Sequence, residues 1–238
     1  MNRNIDFFKE NPYDSAIFEA LVTNSQSIVF IVEPNTGKII YANNAACKFY
    51  GYSNDELLEM KLDKINILSI EEIKNEMNAA RARERNYFNF KHKLKNGEIR
   101  NVEVYSSPII IKNVEYLYSI IHDVTNRIKA EELNNILKHS LDVYTDGIYW
   151  MDSDNRFIYV NEAGGKAFGC RPEDLLGKSL YDVNPTTTPE SLEDLWNKLR
   201  NNGIYTSETV HRRVDGSEFY VEIRTVYFQY EGKEYNKS

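Results

Sequence analysis

The segment YANNAACKFYGYSNDELLEMKL (41–62) decides the fold of this chain, because the chain contains it twice. The second copy, YVNEAGGKAFGCRPEDLLGKSL (159–180), aligns without a gap, so Tyr41 corresponds to Tyr159. Eight corresponding positions carry the same residue type, and in the first copy these are Tyr41, Asn43, Ala45, Lys48, Gly51, Leu57, Leu58 and Leu62. Ungapped agreement of this kind indicates an internal repeat.

A second pair of matching segments extends the repeat to a whole domain. KHKLKNGEIRNVEV (91–104) corresponds to VHRRVDGSEFYVEI (210–223). Each contains a turn signal, Asn96-Gly97 or Asp215-Gly216, and such pairs accept the positive φ of a type I′ hairpin turn. A short helical motif followed by a hairpin in both copies predicts two α+β domains.

The order of these motifs resembles the PAS family, present twice. In each copy an apolar strand leads into Tyr-x-Asn-x-Ala, an aromatic-glycine pair, Leu-Leu-x-x-x-Leu, a longer helix and the hairpin, and the first copy ends in Asp-Val-Thr. The resemblance covers 24–127 and 137–238. It implies an α+β fold in which each PAS-like domain has a five-stranded antiparallel sheet with short helices on one face, the two domains being joined by a helix.

Two further helices are expected outside these cores. Helical spacing of apolar residues predicts an N-terminal amphipathic helix within 1–23, and its apolar residues are Ile17, Phe18, Leu21 and Val22. The segment 125–145 contains no Gly or Pro and predicts a connecting helix that begins at Thr125.

The sequence of each copy also predicts where its helices begin and which residues form their apolar faces. Capping-box patterns begin at Ser53 and Ser69, and Pro172 and Pro189 stand at expected first helical positions. The two longer helices each predict one apolar face, formed by Ile70, Ile73, Met77 and Ala80 in the first copy and by Leu192, Leu195, Trp196 and Leu199 in the second.

The second copy ends before its last strand is complete. Ser238 corresponds to Ser119, so no counterpart of Asp123-Val124-Thr125 follows it. We therefore expect the second PAS domain to be C-terminally truncated, and the chain to be a fragment of a longer protein with an output domain after Ser238.

The composition excludes several functions. The 238 residues carry a net charge of −7, whereas a nucleic-acid surface needs a basic face, so no nucleic-acid partner is expected. The absence of a long apolar run and of a signal-peptide pattern predicts a cytoplasmic location with no membrane segment in this fragment. Cys47 and Cys170 occupy non-equivalent positions and are interpreted as small hydrophobic residues rather than a disulfide or a metal site.

No catalytic site is predicted. The chain has no Gly-rich phosphate loop, H-E-x-x-H or C-x-x-C, and neither copy has a nucleophile, base and orienting group at a recognisable spacing. The four histidines do not supply three or four converging ligands in either copy, so no metal site is predicted.

Four residues are candidates for a ligand pocket. His92 and His211 occupy equivalent positions on the first hairpin strand, where each either faces a pocket or is a hydrogen-bonded or half-exposed strand residue. Asn43 and Asn161 follow the second strand, where each either contacts a ligand or caps the next helix.

The resemblance also implies which cofactors to expect. Flavin-binding light sensors of this family carry an N-C-R-F-L motif, which neither copy has. Haem-binding members place a histidine on the long helix, and 71–85 and 189–200 contain none. Haem and covalent flavin are therefore not expected, whereas a non-covalent flavin or another small molecule stays open.

The function implied by the resemblance is that of a sensory or regulatory region with no catalysis of its own. A small ligand or a protein contact would set its state, and Asp123 and Thr125 would relay that state through the connecting helix to an output domain, either a histidine kinase or a diguanylate cyclase. The connecting helix is either a rigid connector or also pairs two subunits as a homodimer. The alternative is a dimerisation or scaffolding region without a ligand.

Overall fold

The computed structural model describes residues 25–238, so the helix predicted within 1–23 lies outside the described residues. The chain divides between Glu131 and Glu132 into two compact units, called domain 1 (25–131) and domain 2 (132–238) below. Each unit contains one five-stranded antiparallel sheet with helices, which confirms the predicted α+β class.

Domain 1 inserts its helices between the second and third strands. Its elements in chain order are β1 (Ile28–Val32), β2 (Ile39–Ala42), α1 (Asn44–Tyr50), α2 (Asn54–Glu59), α3 (Ile70–Arg81), β3 (Tyr87–Lys93), β4 (Ile99–Ile111) and β5 (Val114–Asp123). The sheet order is β2-β1-β5-β4-β3, so the last strand lies between the first and the fourth.

Domain 2 repeats this layout after a helix that begins in domain 1 and ends in domain 2. Its elements are α4 (Thr125–Asp142), β6 (Tyr149–Asp152), β7 (Phe157–Val160), α5 (Glu162–Phe168), α6 (Leu180–Val183), α7 (Pro189–Asn202), β8 (Ile204–Arg212), β9 (Glu218–Tyr230) and β10 (Lys233–Lys237). The sheet order is β7-β6-β10-β9-β8, the same as in domain 1.

The helix starts follow the predicted capping patterns. The hydroxyls of Ser53 and Ser69 accept hydrogen bonds from the backbone of the third helical residue, and each capping box is complete. Thr188 caps α7 in the same way, with Pro189 at the first helical position. Pro172 begins a short 3₁₀ turn rather than an α-helix.

The apolar faces of α3 and α7 supply much of each core. Their buried residues are Ile73, Met77 and Ala80 in α3 and Leu192, Trp196 and Leu199 in α7. Full burial of a large apolar side chain stabilises a fold by about 1.5–3 kcal/mol. Ile70 departs from the prediction, because it is 58% exposed at the first position of its helix, before the turn that meets the sheet.

The predicted hairpins exist, but the type I′ turn prediction for them is wrong. In these loops the positive φ occurs at Gly97 (88°) and Gly216 (86°) and not at the residues before them. Type I′ turns need positive φ at both central residues. That conformation occurs instead between β4 and β5, at Lys112 and Asn113, and between β9 and β10, at Glu231 and Gly232.

The closing strands differ in length. In domain 1, β5 pairs with β1 from Leu117 to Ile121 and continues to Asp123. In domain 2, β10 pairs with β6 through Lys237, and the backbones of Ser238 and Tyr149 exchange two hydrogen bonds of 2.8 Å. The described residues of domain 2 therefore form five paired strands. Over residues 25–238, no helix is long and apolar enough to cross a membrane.

Candidate functional site

The core of domain 1 is filled along β3. Phe88 and Phe90 stack with their ring centroids 5.7 Å apart, and His92 continues the stack at 5.9 Å from Phe90. These rings and the facing residues of α3 leave a cavity of only about 50 Å³ between the sheet and the helix. A separate recess of about 240 Å³ beside Gly37 is bordered by the exposed Lys61 and Lys74, so it is a cleft of the surface.

The core of domain 2 is open at the corresponding place. The residues of β8 that correspond to Phe88 and Phe90 are Ser207 and Thr209. A cavity of about 250 Å³ lies between the sheet and α7, and both side chains line it. It opens to the surface beside the exposed Asp194 and Glu208. The loss of two phenyl rings from one strand therefore opens in domain 2 the space that domain 1 fills.

His92 is buried and hydrogen-bonded. Its Nδ1 shares a hydrogen bond of 2.7 Å with the Tyr50 hydroxyl, and its Nε2 lies 3.5 Å from the Asn66 amide nitrogen. The side chain is 3% exposed, and burial lowers the pKa of the imidazole to about 3 because it penalises the charged form. His92 is therefore a neutral core residue with its polar atoms in use.

His211 is equally buried, but its polar atoms are not in use. Phe168 stands where domain 1 has Tyr50, so the hydroxyl that bonds His92 is missing. Asn184, which corresponds to Asn66, donates instead to Thr209 Oγ1 at 3.0 Å. Both ring nitrogens of His211 are consequently without a hydrogen-bond partner among the described residues.

Aromatic rings surround His211 and hold it neutral. Its ring stacks on Phe168 at 5.1 Å and meets the edges of Phe219 and Tyr149. Burial lowers the pKa of His211 to about 4. His211 lines the cavity of domain 2, whereas His92, Asn43 and Asn161 line neither core cavity.

Asn43 and Asn161 occupy identical structural positions. Each caps a helix, since Asn43 Oδ1 accepts from Ala46 N at 3.0 Å and Asn161 Oδ1 accepts from Gly164 N at 2.8 Å. The same oxygens also accept from a second backbone amide, Val29 N within β1 in domain 1 and Ile148 N just before β6 in domain 2. Their bonds join backbone segments, and a contact with a ligand stays a prediction.

Asn161 makes a connection that the sequence analysis missed. Its Nδ2 donates to the backbone oxygens of Leu141 and Asp146, both at 3.0 Å, so one amide holds the end of α4 and the loop that follows it. The signal in the sequence is the match with Asn43, whose Nδ2 donates to Ser27 O at 2.8 Å in the segment entering domain 1.

The predicted relay residues join β4, β5 and the start of α4. Asp123 Oδ1 accepts from Thr125 N at 2.9 Å, and the Thr125 hydroxyl oxygen accepts from Asn101 N at 2.9 Å. Arg100 also forms an ion pair with Asp123 at 3.1 Å. Thr125 is buried at the first position of α4, so the helix start is fixed to the sheet of domain 1. The relay role itself stays a prediction.

The middle of α4 has exposed apolar residues. Leu133, Ile136 and Leu137 are 56%, 65% and 52% exposed. Their spacing places them near one another on the helix surface.

The described residues contain no cluster suited to a metal ion and two free cysteines. Among residues 25–238, no group of three or more His, Cys, Asp or Glu side chains is placed to hold a metal ion. Cys47 and Cys170 are free and half-buried, and burial raises the pKa of both thiols, which reduces their reactivity.

Comparisons with known proteins match both halves of the chain. A family model described as PAS domain matches residues 25–126, and one described as PAS fold matches residues 131–235. The diguanylate cyclase DgcM of Escherichia coli K12 is 30% identical over 145 residues, which are 60% of this chain and 34% of that protein. DgcM of Escherichia coli O157:H7 gives the same values, so the chain spans about a third of the length of the curated relatives it matches.

Solved structures similar to the chain include single PAS domains. The PAS domain of a Desulfitobacterium hafniense protein is 21% identical and covers 44% of this chain and 98% of its own, with a TM-score of 0.42. The PAS domain of an HTR-like protein from Haloarcula marismortui is 22% identical and covers 46% and 90%, with a TM-score of 0.43.

Proposed function

This chain belongs to the PAS family as a tandem pair of PAS domains, and from that premise we propose that it is the sensory region of a signal-transduction protein. In this proposal domain 2 binds a small ligand in its core cavity. Domain 1 is a structural and regulatory copy, since its core has no comparable room. No catalysis is assigned to either domain.

The observation that carries the proposal is the contrast between the two cores. Domain 2 has a cavity of about 250 Å³ lined by Ser207 and Thr209, whereas in domain 1 the rings of Phe88 and Phe90 leave only about 50 Å³.

The relay is proposed to use the two ends of α4. A ligand that repositions β6 and α5 would also move Asn161, which holds the Leu141 carbonyl at the end of α4. Asp123 and Thr125 hold the other end of the same helix on the sheet of domain 1. Such a relay works only if the ligand binds two states of the domain with different affinity.

The output is proposed to be a diguanylate cyclase in the same protein. The matched curated relatives are diguanylate cyclases, which favours this output over a histidine kinase. A cytoplasmic location belongs to the same proposal and agrees with two free cysteines, because disulfides are rare in reducing compartments.

Native mass spectrometry of the freshly purified chain tests the ligand. We expect a bound mass in the wild type and its loss in the double variant Ser207→Phe/Thr209→Phe, which rebuilds the phenyl wall of domain 1. The control is the exposed substitution Thr206→Phe on the same strand, which should keep the bound mass. An absorbance spectrum identifies haem or flavin. A wild-type chain that carries no mass and is stabilised by no small molecule would contradict the proposal.

A second candidate function is dimerisation or scaffolding without a ligand. It is favoured by the exposed Leu133, Ile136 and Leu137 of α4, for which the proposed occupant is the same helix of a second copy. Size-exclusion chromatography with light scattering should then give a dimer that Leu137→Glu converts to a monomer. The exposed polar Asn134→Glu is the matched control. A monomeric wild type at all concentrations would exclude this candidate.

A further inference from the structure

The hairpin edge of the sheet is covered in domain 1. β3 and β8 are the corresponding edge strands, and their pairing with β4 and β9 has the same register. In domain 1 the segment 65–67 pairs with this edge, where Ile67 N donates to Lys91 O at 3.1 Å. Lys93 N in turn donates to Ile65 O at 2.7 Å. The backbone groups that β3 directs away from β4 at these positions are therefore bonded within their own domain.

A proline removes this cover in domain 2. Pro185 stands where domain 1 has Ile67, and proline has no backbone N–H to donate. Val210 O and Arg212 N correspond to the two groups of β3 that are bonded in domain 1. Among the described residues neither group has a hydrogen-bond partner. The edge of β8 is therefore left without backbone pairing.

The segment around the proline bonds to β8 in a different way. Asn184 Nδ2 and Thr186 Oγ1 lie 3.0 Å and 3.2 Å from Thr209 Oγ1. The Thr209 side chain lines the cavity, so these contacts are made on the face of β8 that points to the core. They leave the backbone groups along the edge of the strand unused.

The edge of β8 also lacks the features that protect an exposed sheet edge. Lysines, prolines and bulges commonly prevent such edges from pairing with another chain. β3 carries Lys91 and Lys93 at its edge, whereas β8 has Val210 and Arg212 at the corresponding positions. The pairing of β8 with β9 runs from Ile204 to the end of the strand without a shift of register. A regular strand without proline or lysine therefore forms this edge.

The charges of β8 are complementary to a second copy of the same strand. Glu208, Val210 and Arg212 lie on one face of β8, and the two charged residues are exposed. If two β8 strands pair antiparallel about Val210, Glu208 of each copy faces Arg212 of the other, and opposite charges in such positions attract. Arg212 also pairs with Glu218 at 3.0 Å, and its guanidinium has further donors for a second carboxylate. The same arrangement of two β3 strands would place Lys91 opposite Lys91.

We propose that two copies of this chain pair edge to edge through β8, antiparallel and with Val210 at the twofold axis. Glu208, Val210 and Arg212 exchange backbone hydrogen bonds with the second copy, so the two domain 2 sheets become one continuous sheet. A contact of one strand with itself is isologous and closes at two copies. It is separate from the exposed residues of α4 and does not depend on a ligand in the cavity.

A charge exchange tests the pairing. Size-exclusion chromatography with light scattering on the full chain should give a mass that rises with concentration toward that of a dimer. Glu208→Arg and Arg212→Glu should each weaken association at least about tenfold, because each places like charges opposite one another. An equimolar mixture of the two variants should recover a heterodimer, in which the arginines of one chain face the glutamates of the other. This recovery also shows that both variants are folded.

Further variants locate the contact. Val210→Lys introduces the residue of domain 1 at the twofold axis and should abolish the dimer. Glu173→Arg makes the same charge change as Glu208→Arg at an exposed position beside β7, on the opposite edge of the sheet, and should keep the dimer. Leu137→Glu on α4 should keep it as well.

Several results would overturn the proposal. These are a wild type that stays monomeric at all concentrations, a dimer that Val210→Lys and both charge variants leave unchanged, and a mixture of the charge variants that stays monomeric. A dimer that Leu137→Glu abolishes would assign the contact to α4 instead. A monomeric wild type that binds an extended peptide of another protein at β8 would likewise exclude pairing between copies.

Discussion

Domain 1 and domain 2 place a histidine at the same position of the same strand, and the two rings have different surroundings. His92 meets the hydroxyl of Tyr50, whereas His211 meets the phenyl ring of Phe168. The neighbouring strand positions differ in the opposite direction, from the two phenyl rings of Phe88 and Phe90 in domain 1 to the two hydroxyls of Ser207 and Thr209 in domain 2. By contrast, the asparagine that organises the backbone is retained in both domains with matching hydrogen bonds. In this duplicated fold the asparagine that shapes the backbone is preserved, whereas several of the residues around the histidine in the core differ.

The largest effect is expected from opening the core of domain 1. Phe88→Ser introduces the residue of domain 2 at a side chain that is 4% exposed, so domain 1 should lose about 3–5 kcal/mol of unfolding free energy. Urea unfolding followed by far-UV circular dichroism measures the loss. Trp150 and Trp196 both lie in domain 2, so their fluorescence transition should not move. Asn89→Ser, exposed on the same strand, is the control, and a loss below about 1 kcal/mol for Phe88→Ser would disprove the packing argument.

The shared asparagine gives the next largest effect. Asn161→Ala removes four hydrogen bonds from a side chain that is 0% exposed, and domain 2 should lose about 2–4 kcal/mol. Tryptophan fluorescence during urea unfolding reports it. Asn43→Ala should cost domain 1 a similar amount, and Glu162→Ala, exposed beside Asn161, should cost little. Unequal losses from the two asparagines would show that the two caps are not equivalent.

Acid should weaken both domains over different pH ranges. The unfolded histidine binds a proton near pH 6.5, whereas folded His92 and His211 do so only near pH 3 and pH 4. Above pH 6.5 neither histidine lowers the unfolding free energy of its domain. Below pH 6.5 each histidine lowers it by at most about 1.4 kcal/mol for every unit by which the pH falls. The decrease from His211 should end near pH 4, while that from His92 continues lower. Urea midpoints between pH 7 and pH 3 measure it, and a slope that is unchanged in His92→Phe and His211→Phe would assign the acid sensitivity to other groups.

The smallest effect is expected from replacing each histidine with phenylalanine at pH 7, where the two changes in unfolding free energy should have opposite signs. His211→Phe replaces two unpartnered nitrogens with carbon and should stabilise ligand-free domain 2 by about 1–2 kcal/mol. His92→Phe leaves the Tyr50 hydroxyl without its partner and should destabilise domain 1 by a similar amount. Tryptophan fluorescence during urea unfolding reports the change in domain 2, and far-UV circular dichroism reports the change in domain 1. If both variants changed stability in the same direction, the two histidines would not differ as described.

Local patterns in the sequence predicted two α+β copies, and the resemblance to the PAS family supplied the five-stranded sheet. The repeat, the capping serines and the apolar faces of α3 and α7 depend on residues a few positions apart, so they are visible along the chain. Ile70 was assigned to a buried face because periodicity alone does not show where a helix first meets the sheet. The hairpin turns were assigned to the wrong type because a glycine after Asn or Asp also suits a longer loop.

The difference between the two cores was not predicted. His92 and His211 have the same residue type at the same repeat position, so they look equivalent in the sequence. Their partners, Tyr50 and Phe168, lie more than 40 residues earlier and meet them only in the folded domain. A comparison of Phe88 and Phe90 with Ser207 and Thr209 is the signal that would have identified the open core.

The Asn161 amide also determines which parts of domain 2 open together. It joins the carbonyls of Leu141 and Asp146 to the backbone amides of Ile148 and Gly164. Because one side chain makes all four links, its displacement breaks them together, so the end of α4, the strand entry and the first turn of α5 should behave as one cooperative unfolding unit. Hydrogen–deuterium exchange at Ile148 and Gly164 should then share a single opening rate, and a molecule bound in the core should slow both amides together.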